Sequence, residues 1–208
     1  MKQVVPGNLN PLWPLIAVIG DADAARQSTK YRVAQQVGRS LVDAGCRILT
    51  GGLGGVMEAA CRGGHASWRY QPGSTVGVLP GSDPNDANEF VDIILPTALH
   101  HVRNSLVAHA DAVVAIGGGA GTLSEICFAW MYKRLIIALK VRGWSGRLAG
   151  TRLDNRIRYP HLPKDQIYPA NNAGDVVRLL RAHLPAYQVR RRLNFPTGPG
   201  GKTVARRR

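Results

Sequence analysis

Two stretches of this chain share one plan. Residues 112–131 read AVVAIGGGAGTLSEICFAWM and residues 46–65 read CRILTGGLGGVMEAACRGGH: an apolar run, a turn made mostly of glycine, then a helix-like stretch. A short, continuous apolar run leading straight into a helix is the strand-turn-helix unit of a parallel sheet whose strands are buried on both faces. Further runs rich in Val and Ile fall at 15–19, 75–79, 90–95 and 134–141. Helical spacing lies between several of them. Val33, Val37, Leu41 and Ala44 form one stripe, with Ser28 or Thr29 to cap it and Gly45 to stop it. Leu123, Ile126, Cys127 and Trp130 form a second, and Val176, Val177, Leu180 and Leu184 a third. Strands alternating with helices predict an α/β chain with a parallel sheet covered by helices on both faces.

At 208 residues and 45% apolar content the chain supports one such core, so a single domain is expected. From 143 to 173 the periodicity is lost, which predicts long loops ending in a cap for a helix over 174–184. The net charge of +14 is uneven: residues 1–140 carry 12 Lys and Arg against 10 Asp and Glu, whereas 141–208 carry 15 against 3. After Pro185 there are seven basic residues and no acidic one, so 1–184 reads as the domain and 185–208 as a basic tail able to contact nucleic acid weakly. No run approaches the roughly 18 apolar residues of a membrane span, and the N-terminus has no signal-peptide pattern; a cytoplasmic protein without a membrane partner is expected. Cys46, Cys61 and Cys127 are widely spaced in apolar segments and read as packing residues, with no metal site indicated.

A glycine turn opening a helix leaves several backbone N–H groups without intrahelical partners, and these, with the helix dipole, favour an anion. The glycines let a phosphate approach the backbone and admit positive φ. The residues expected to face such a ligand are Gly20, Gly51, Gly52, Gly54, Gly55 and Met57 from the first half, then Asn104, Gly117, Gly118, Gly119, Gly121 and Thr122. Neither turn is a GxxxxGK[ST] loop or a regular GxGxxG fingerprint. Tight strand-helix packing alone also explains such glycines. Glu125, three residues after Thr122, is expected in the first helical turn, either as a cap or as a carboxylate facing a sugar attached to the bound phosphate.

Taken together, GGLGGVMEAACRGG, VRNSLVAHADAVVAIGGGAGTLSE and GWSGRLAGTRLD resemble the LOG (Lonely Guy) proteins, long labelled lysine decarboxylase-like, over about residues 14–184. The resemblance implies a Rossmann-like doubly wound sheet. Active members carry an Arg-Lys pair and a PGGxGTxxE motif, which bind a nucleoside 5′-monophosphate and release its base from ribose 5-phosphate. Arg103 matches the arginine, and Gly118, Gly119, Gly121, Thr122 and Glu125 match the motif. Gly117 replaces its proline, Asn104 the lysine of the pair and Ser124 a frequent second glutamate. This version is more similar to a sister branch that includes molybdenum-cofactor carrier proteins; the same superfamily holds a DNA-processing protein.

The resemblance therefore implies a phosphoribohydrolase in which Arg103 and Glu125 are catalytic. Glu125 would stabilise an oxocarbenium-like sugar or orient water, and Arg103 would neutralise phosphate or polarise the leaving base. A purely structural Arg103–Glu125 pair is the other reading. His100 and His101 are candidate proton donors or plain surface residues. Two other functions stay open: a carrier that binds molybdenum cofactor or a related phosphorylated ligand without chemistry, and a nucleic-acid module working through the tail. No cofactor is required; the implied ligands are an AMP-like nucleotide or molybdenum cofactor, and relatives imply a homo-oligomer, dimer or tetramer. Lysine decarboxylation is not expected, because that chemistry uses a lysine Schiff base with pyridoxal phosphate and none of the six lysines adjoins either of the two strand-helix glycine turns in sequence.

Overall fold

The computed structural model describes residues 13–187. In chain order its elements are β1 (Leu15–Gly20), α1 (Thr29–Asp43), β2 (Arg47–Thr50), α2 (Val56–His65), β3 (Thr75–Leu79), β4 (Ile93–Pro96), α3 (Asn104–Val107), β5 (Ala112–Ile116), α4 (Ala120–Met131), β6 (Leu135–Leu139), α5 (Trp144–Leu148), β7 (Ile167–Ala170) and α6 (Ala173–Tyr187). Among these residues seven strands make one parallel sheet in the order β4-β3-β2-β1-β5-β6-β7. This is the expected Rossmann-like fold. The chain steps outward from β1 to β4, crosses back, and restarts at β5 against the other side of β1.

The apolar runs are continuous because alternate residues serve opposite cores. Ile16, Val18, Val114 and Ile116 face Val37 and Leu41 of α1, Ala59 of α2 and Val176 and Leu180 of α6. Ala17, Ile19, Val113 and Ala115 face Val107 of α3 and Ile126 and Trp130 of α4. Ser28 caps α1 by accepting the Tyr31 N–H at 3.2 Å, and Gly45 follows its end. The α1 and α2 backbones approach so closely that a Cβ on Gly38 would strike the Ala60 carbonyl and one on Gly63 the Gln35 carbonyl.

Three expectations are corrected. The run at 90–95 is not a buried strand: β4 is a sheet edge, with Ile93 and Leu95 45% and 46% exposed. The irregular stretch after 143 contains α5 and β7. Pro169 disguises β7 in sequence, but an edge strand needs no N–H on its outer side. Finally, the helix expected to end at 184 continues through Pro185 to Tyr187; residues 188–208 of the expected tail lie outside the described residues. The loop before β7 is fixed from within. Arg158 is buried, donates to both carboxylate oxygens of Asp165 at 2.6 Å and lies 3.7 Å over the Trp130 ring, while the Tyr187 hydroxyl donates to the same carboxylate.

Candidate functional site

The strand order reverses between β1 and β5, and in doubly wound sheets the crevice outside the carboxyl ends at that point is where ligands collect. The turn after β5 opens there. Gly117 and Gly118 have φ of +68° and +91°, a left-handed pair that glycine tolerates. Their carbonyls are turned away from the crevice, accepting N–H groups of Ser145 at 2.9 Å and Trp144 at 3.1 Å. The Ser145 hydroxyl donates to the Leu139 carbonyl and accepts the Gly117 N–H, both at 2.7 Å, so α5 clamps the turn to β6. Nothing in the sequence GWSGRL marks Ser145 for this role; only folding brings it against the end of β5.

At the start of α4, Gly119 occupies the cap position without a side-chain cap, and the N–H groups of Ala120, Gly121 and Thr122 precede the first intrahelical bond, which Leu123 donates to the Gly119 carbonyl at 3.0 Å. A Cβ on Gly119 or Gly121 would meet nothing within 4 Å. These two glycines are therefore kept free of side chains over open space and not for their dihedrals: neither has positive φ, contrary to expectation. Thr122 is buried, with its side chain lying over Gly118.

The turn after β2 is a different object. Gly55 packs on the carbonyls of Asp21 and Ala22, Gly54 lies beside the Ala22 carbonyl, and Val56 donates to the Asp21 carbonyl at 2.9 Å. Asn88 closes its other side, its Nδ2 donating to the carbonyls of Gly52 at 3.0 Å and Leu53 at 2.8 Å. Gly52 packs on Leu79, Gly20 on the Ile116 carbonyl and Val56, and Met57 is buried in the first turn of α2. The two turns, both expected to face a ligand, thus differ: protein carbonyls crowd the first, and the second is open. Gly51 has its own reason, since a Cβ there would run into the Arg103 guanidinium.

Arg103 ends a 3-10 turn (His100–Arg103) that leads into α3, and is only 7% exposed, as is Glu125. Arg103 Nη1 donates to Glu125 Oε1 at 3.5 Å, a long contact, and Arg103 Nε is buried with no hydrogen-bond partner among the described residues. Burial pushes the Glu125 carboxyl up to about 7, with the Arg103 charge opposing it; burial also lowers Arg103, with Glu125 opposing. Glu125 is the sixth residue of α4, one turn beyond the expected position, so it does not cap the helix. Asn104 Nδ2 donates to Ser124 Oγ at 2.8 Å, and Ser124 donates to the Gly121 carbonyl at 2.7 Å. Two departures from the charged motif are therefore one neutral hydrogen-bonded pair. His100 and His101 are exposed. Cys46 and Cys61 are buried free thiols that burial pushes up to about 11 and about 12, and Cys127 is half-buried.

One pair at the crevice escaped the sequence reading. Lys30 Nζ donates to Asp21 Oδ2 at 2.5 Å, and both side chains lie against Gly117. Lys30 is far from either glycine turn in sequence but reaches the second in space, from the first helical turn of α1. Two grooves lie elsewhere, one of about 690 Å³ between Ser40 and Asp43 of α1 and Arg178 and Arg181 of α6, and one of about 230 Å³ beside it, bordered by Pro14 and Cys46 at the opposite, amino-terminal edge of the sheet.

With this geometry in view, the model of the SLOG cluster4 family matches residues 14–168. The chain belongs to that family. An uncharacterised member-like relative from Archaeoglobus fulgidus is 36% identical over 126 residues, covering 60% of this chain and 79% of the relative. Among solved structures, the molybdenum cofactor binding protein of the phototrophic bacterium Rippkaea orientalis is 29% identical, covers 82% of this SLOG chain and 96% of its own, and superimposes with a TM-score of 0.66. The molybdenum cofactor carrier protein of Chlamydomonas reinhardtii is 25% identical over 83% and 99% of the two chains, TM-score 0.64. DNA processing protein A of Helicobacter pylori, at 18% identity, 81% and 80% coverage and TM-score 0.55, shares the fold alone. Among the described residues of this SLOG protein no helix is long and apolar enough to cross a membrane.

Proposed function

We propose that this protein binds a phosphorylated small molecule in the β1/β5 crevice and acts as a carrier for molybdenum cofactor or a closely related phosphorylated pterin. The observation that carries the reading is the open start of α4: uncapped N–H groups over space free of side chains, at the switch point of the sheet, on the same helix as a carboxylate paired with the buried Arg103. Those N–H groups would hold the phosphate, and Arg103, whose Nε has no hydrogen bond among the described residues, has donor capacity left for a ligand. Likeness to two molybdenum-cofactor-binding proteins along nearly their whole length supports the ligand class.

A second reading has its own support. Glu125 is pushed up to about 7 beside Arg103, which suits a proton-transferring or charge-stabilising group in a nucleoside 5′-monophosphate phosphoribohydrolase. Native mass spectrometry of the purified protein, combined with a ribose 5-phosphate release assay over a panel of nucleoside monophosphates, separates the two. A retained phosphorylated pterin and no turnover is the carrier result. Turnover of any member of the panel, lowered on the order of 10² to 10³-fold by Glu125→Gln, would replace it with the hydrolase reading.

A further inference from the structure

At Gly117 the anion-binding turn touches two charged side chains, Asp21 and Lys30. A Cβ there would lie 2.5 Å from Asp21 Oδ2 and 3.0 Å from Cδ and Cε of Lys30. The position is closed to other residues two ways: φ is +68°, and the space beside Cα is filled by the Asp21–Lys30 pair, while its N–H donates to Ser145 Oγ. Proline in particular is excluded, since it needs φ near −65° and has no N–H. The chain thus has glycine where the LOG motif has proline, and an ion pair where the ring would be. Meanwhile position 104, beside Arg103, carries no charge, and Asn104 is tied to Ser124.

We infer that Lys30 is the second cation of this site, binding the phosphate monoester held at the start of α4, and that Asp21 holds its ammonium at the rim until the phosphate takes it over. This rests on the phosphate-binding reading given above. Three features support it. Lys30 is anchored in α1 with its aliphatic chain against Gly117, two residues from the Gly119 cap. Its side chain and that of Asp21 are each about a quarter exposed, so the ammonium is neither locked in the core nor free in solvent. And Arg103, the first cation of the site, shares its charge with Glu125, so a phosphate there gains from a second counter-ion. A lysine suits this exchange, because its ammonium is a compact point charge on a flexible stem with three rotatable donors.

The inference gives Lys30 and Asp21 opposite effects, which a merely structural ion pair would not. The test is calorimetric titration of wild type, Lys30→Gln and Asp21→Asn, all checked for unchanged melting. The probes are AMP against adenosine, and the oxidised pterin phosphate of molybdenum cofactor against the same pterin after phosphatase treatment. Expected is a preference for the phosphorylated probe in wild type. Lys30→Gln should lose that preference by weakening the phosphorylated probe roughly 10- to 100-fold, with the dephosphorylated probe unaffected and Lys30→Arg restoring most of the loss. Asp21→Asn should bind the phosphorylated probe as tightly or more tightly, since the competing carboxylate is gone. Equal weakening in both variants, or a wild-type preference that survives in Lys30→Gln, overturns the role of Lys30 and leaves the phosphate site standing. A wild type indifferent to the phosphate on both probe pairs overturns the role of Lys30 together with the reading it rests on.

Discussion

Glu125 has a measurable signature. Its carboxyl is pushed up to about 7 by burial, against an ordinary value of 4.5, so the folded protein holds a proton there that the unfolded chain releases. Stability from this group is complete below about pH 4.5 and is lost as pH rises through about 7, because ν exceeds the unfolded value only in that window. Glu125→Gln removes the titration. Chemical denaturation from pH 4 to 8 is expected to show the variant losing less stability than wild type over this range, by something on the order of 1–3 kcal/mol; parallel pH profiles would mean that the carboxyl is solvated and ionised throughout. That Arg103 and Glu125 lie together was legible because the LOG resemblance names both residues. Lys30, Asp21 and Ser145 were not, because they lie 87, 96 and 28 residues from Gly117 along the chain and meet it only through strand order. Nor could spacing show that Gly51 makes room for a guanidinium while Gly119 faces open space.

Helices α1 and α2 are held by close backbone contact at Gly38 and Gly63. A methyl at 63 would meet the Gln35 carbonyl, part of a helix backbone that cannot rotate aside. Gly63→Ala should therefore destabilise the fold by about 1–3 kcal/mol, although alanine is the better helix former; a melting temperature equal to or above wild type would show that the helices can separate without loss. The central strands were readable as unbroken apolar runs because both faces are buried. The two edges were the difficult part. β4 carries apolar residues that the fold leaves exposed, and β7 carries a proline that a central strand would reject, so one edge reads as core and the other as loop.

For the molecule as a whole, the positive charge of the sequence gathers beyond residue 140, and its last block begins just after α6. The helix ends at Tyr187, whose hydroxyl donates to the buried Asp165 that also binds Arg158. Removing 188–208 should leave melting unchanged and lower any affinity for nucleic acid at low salt, since seven cations leave with it. Removing 185–208 takes Tyr187 out of the network and should lower the melting temperature as well; identical melting of the two truncations would show that the domain needs nothing beyond Leu184. The central claim concerns the other end of the fold, the open start of α4, and is tested most directly by native mass spectrometry of wild type beside Gly119→Val. A Cβ at 119 meets nothing within 4 Å, so the variant is expected to keep the wild-type melting temperature while its side chain fills the space in front of the helix. A phosphorylated ligand retained by wild type and absent from the folded variant is the predicted result; equal retention by both, or a wild type whose retained ligand carries no phosphate, would contradict it.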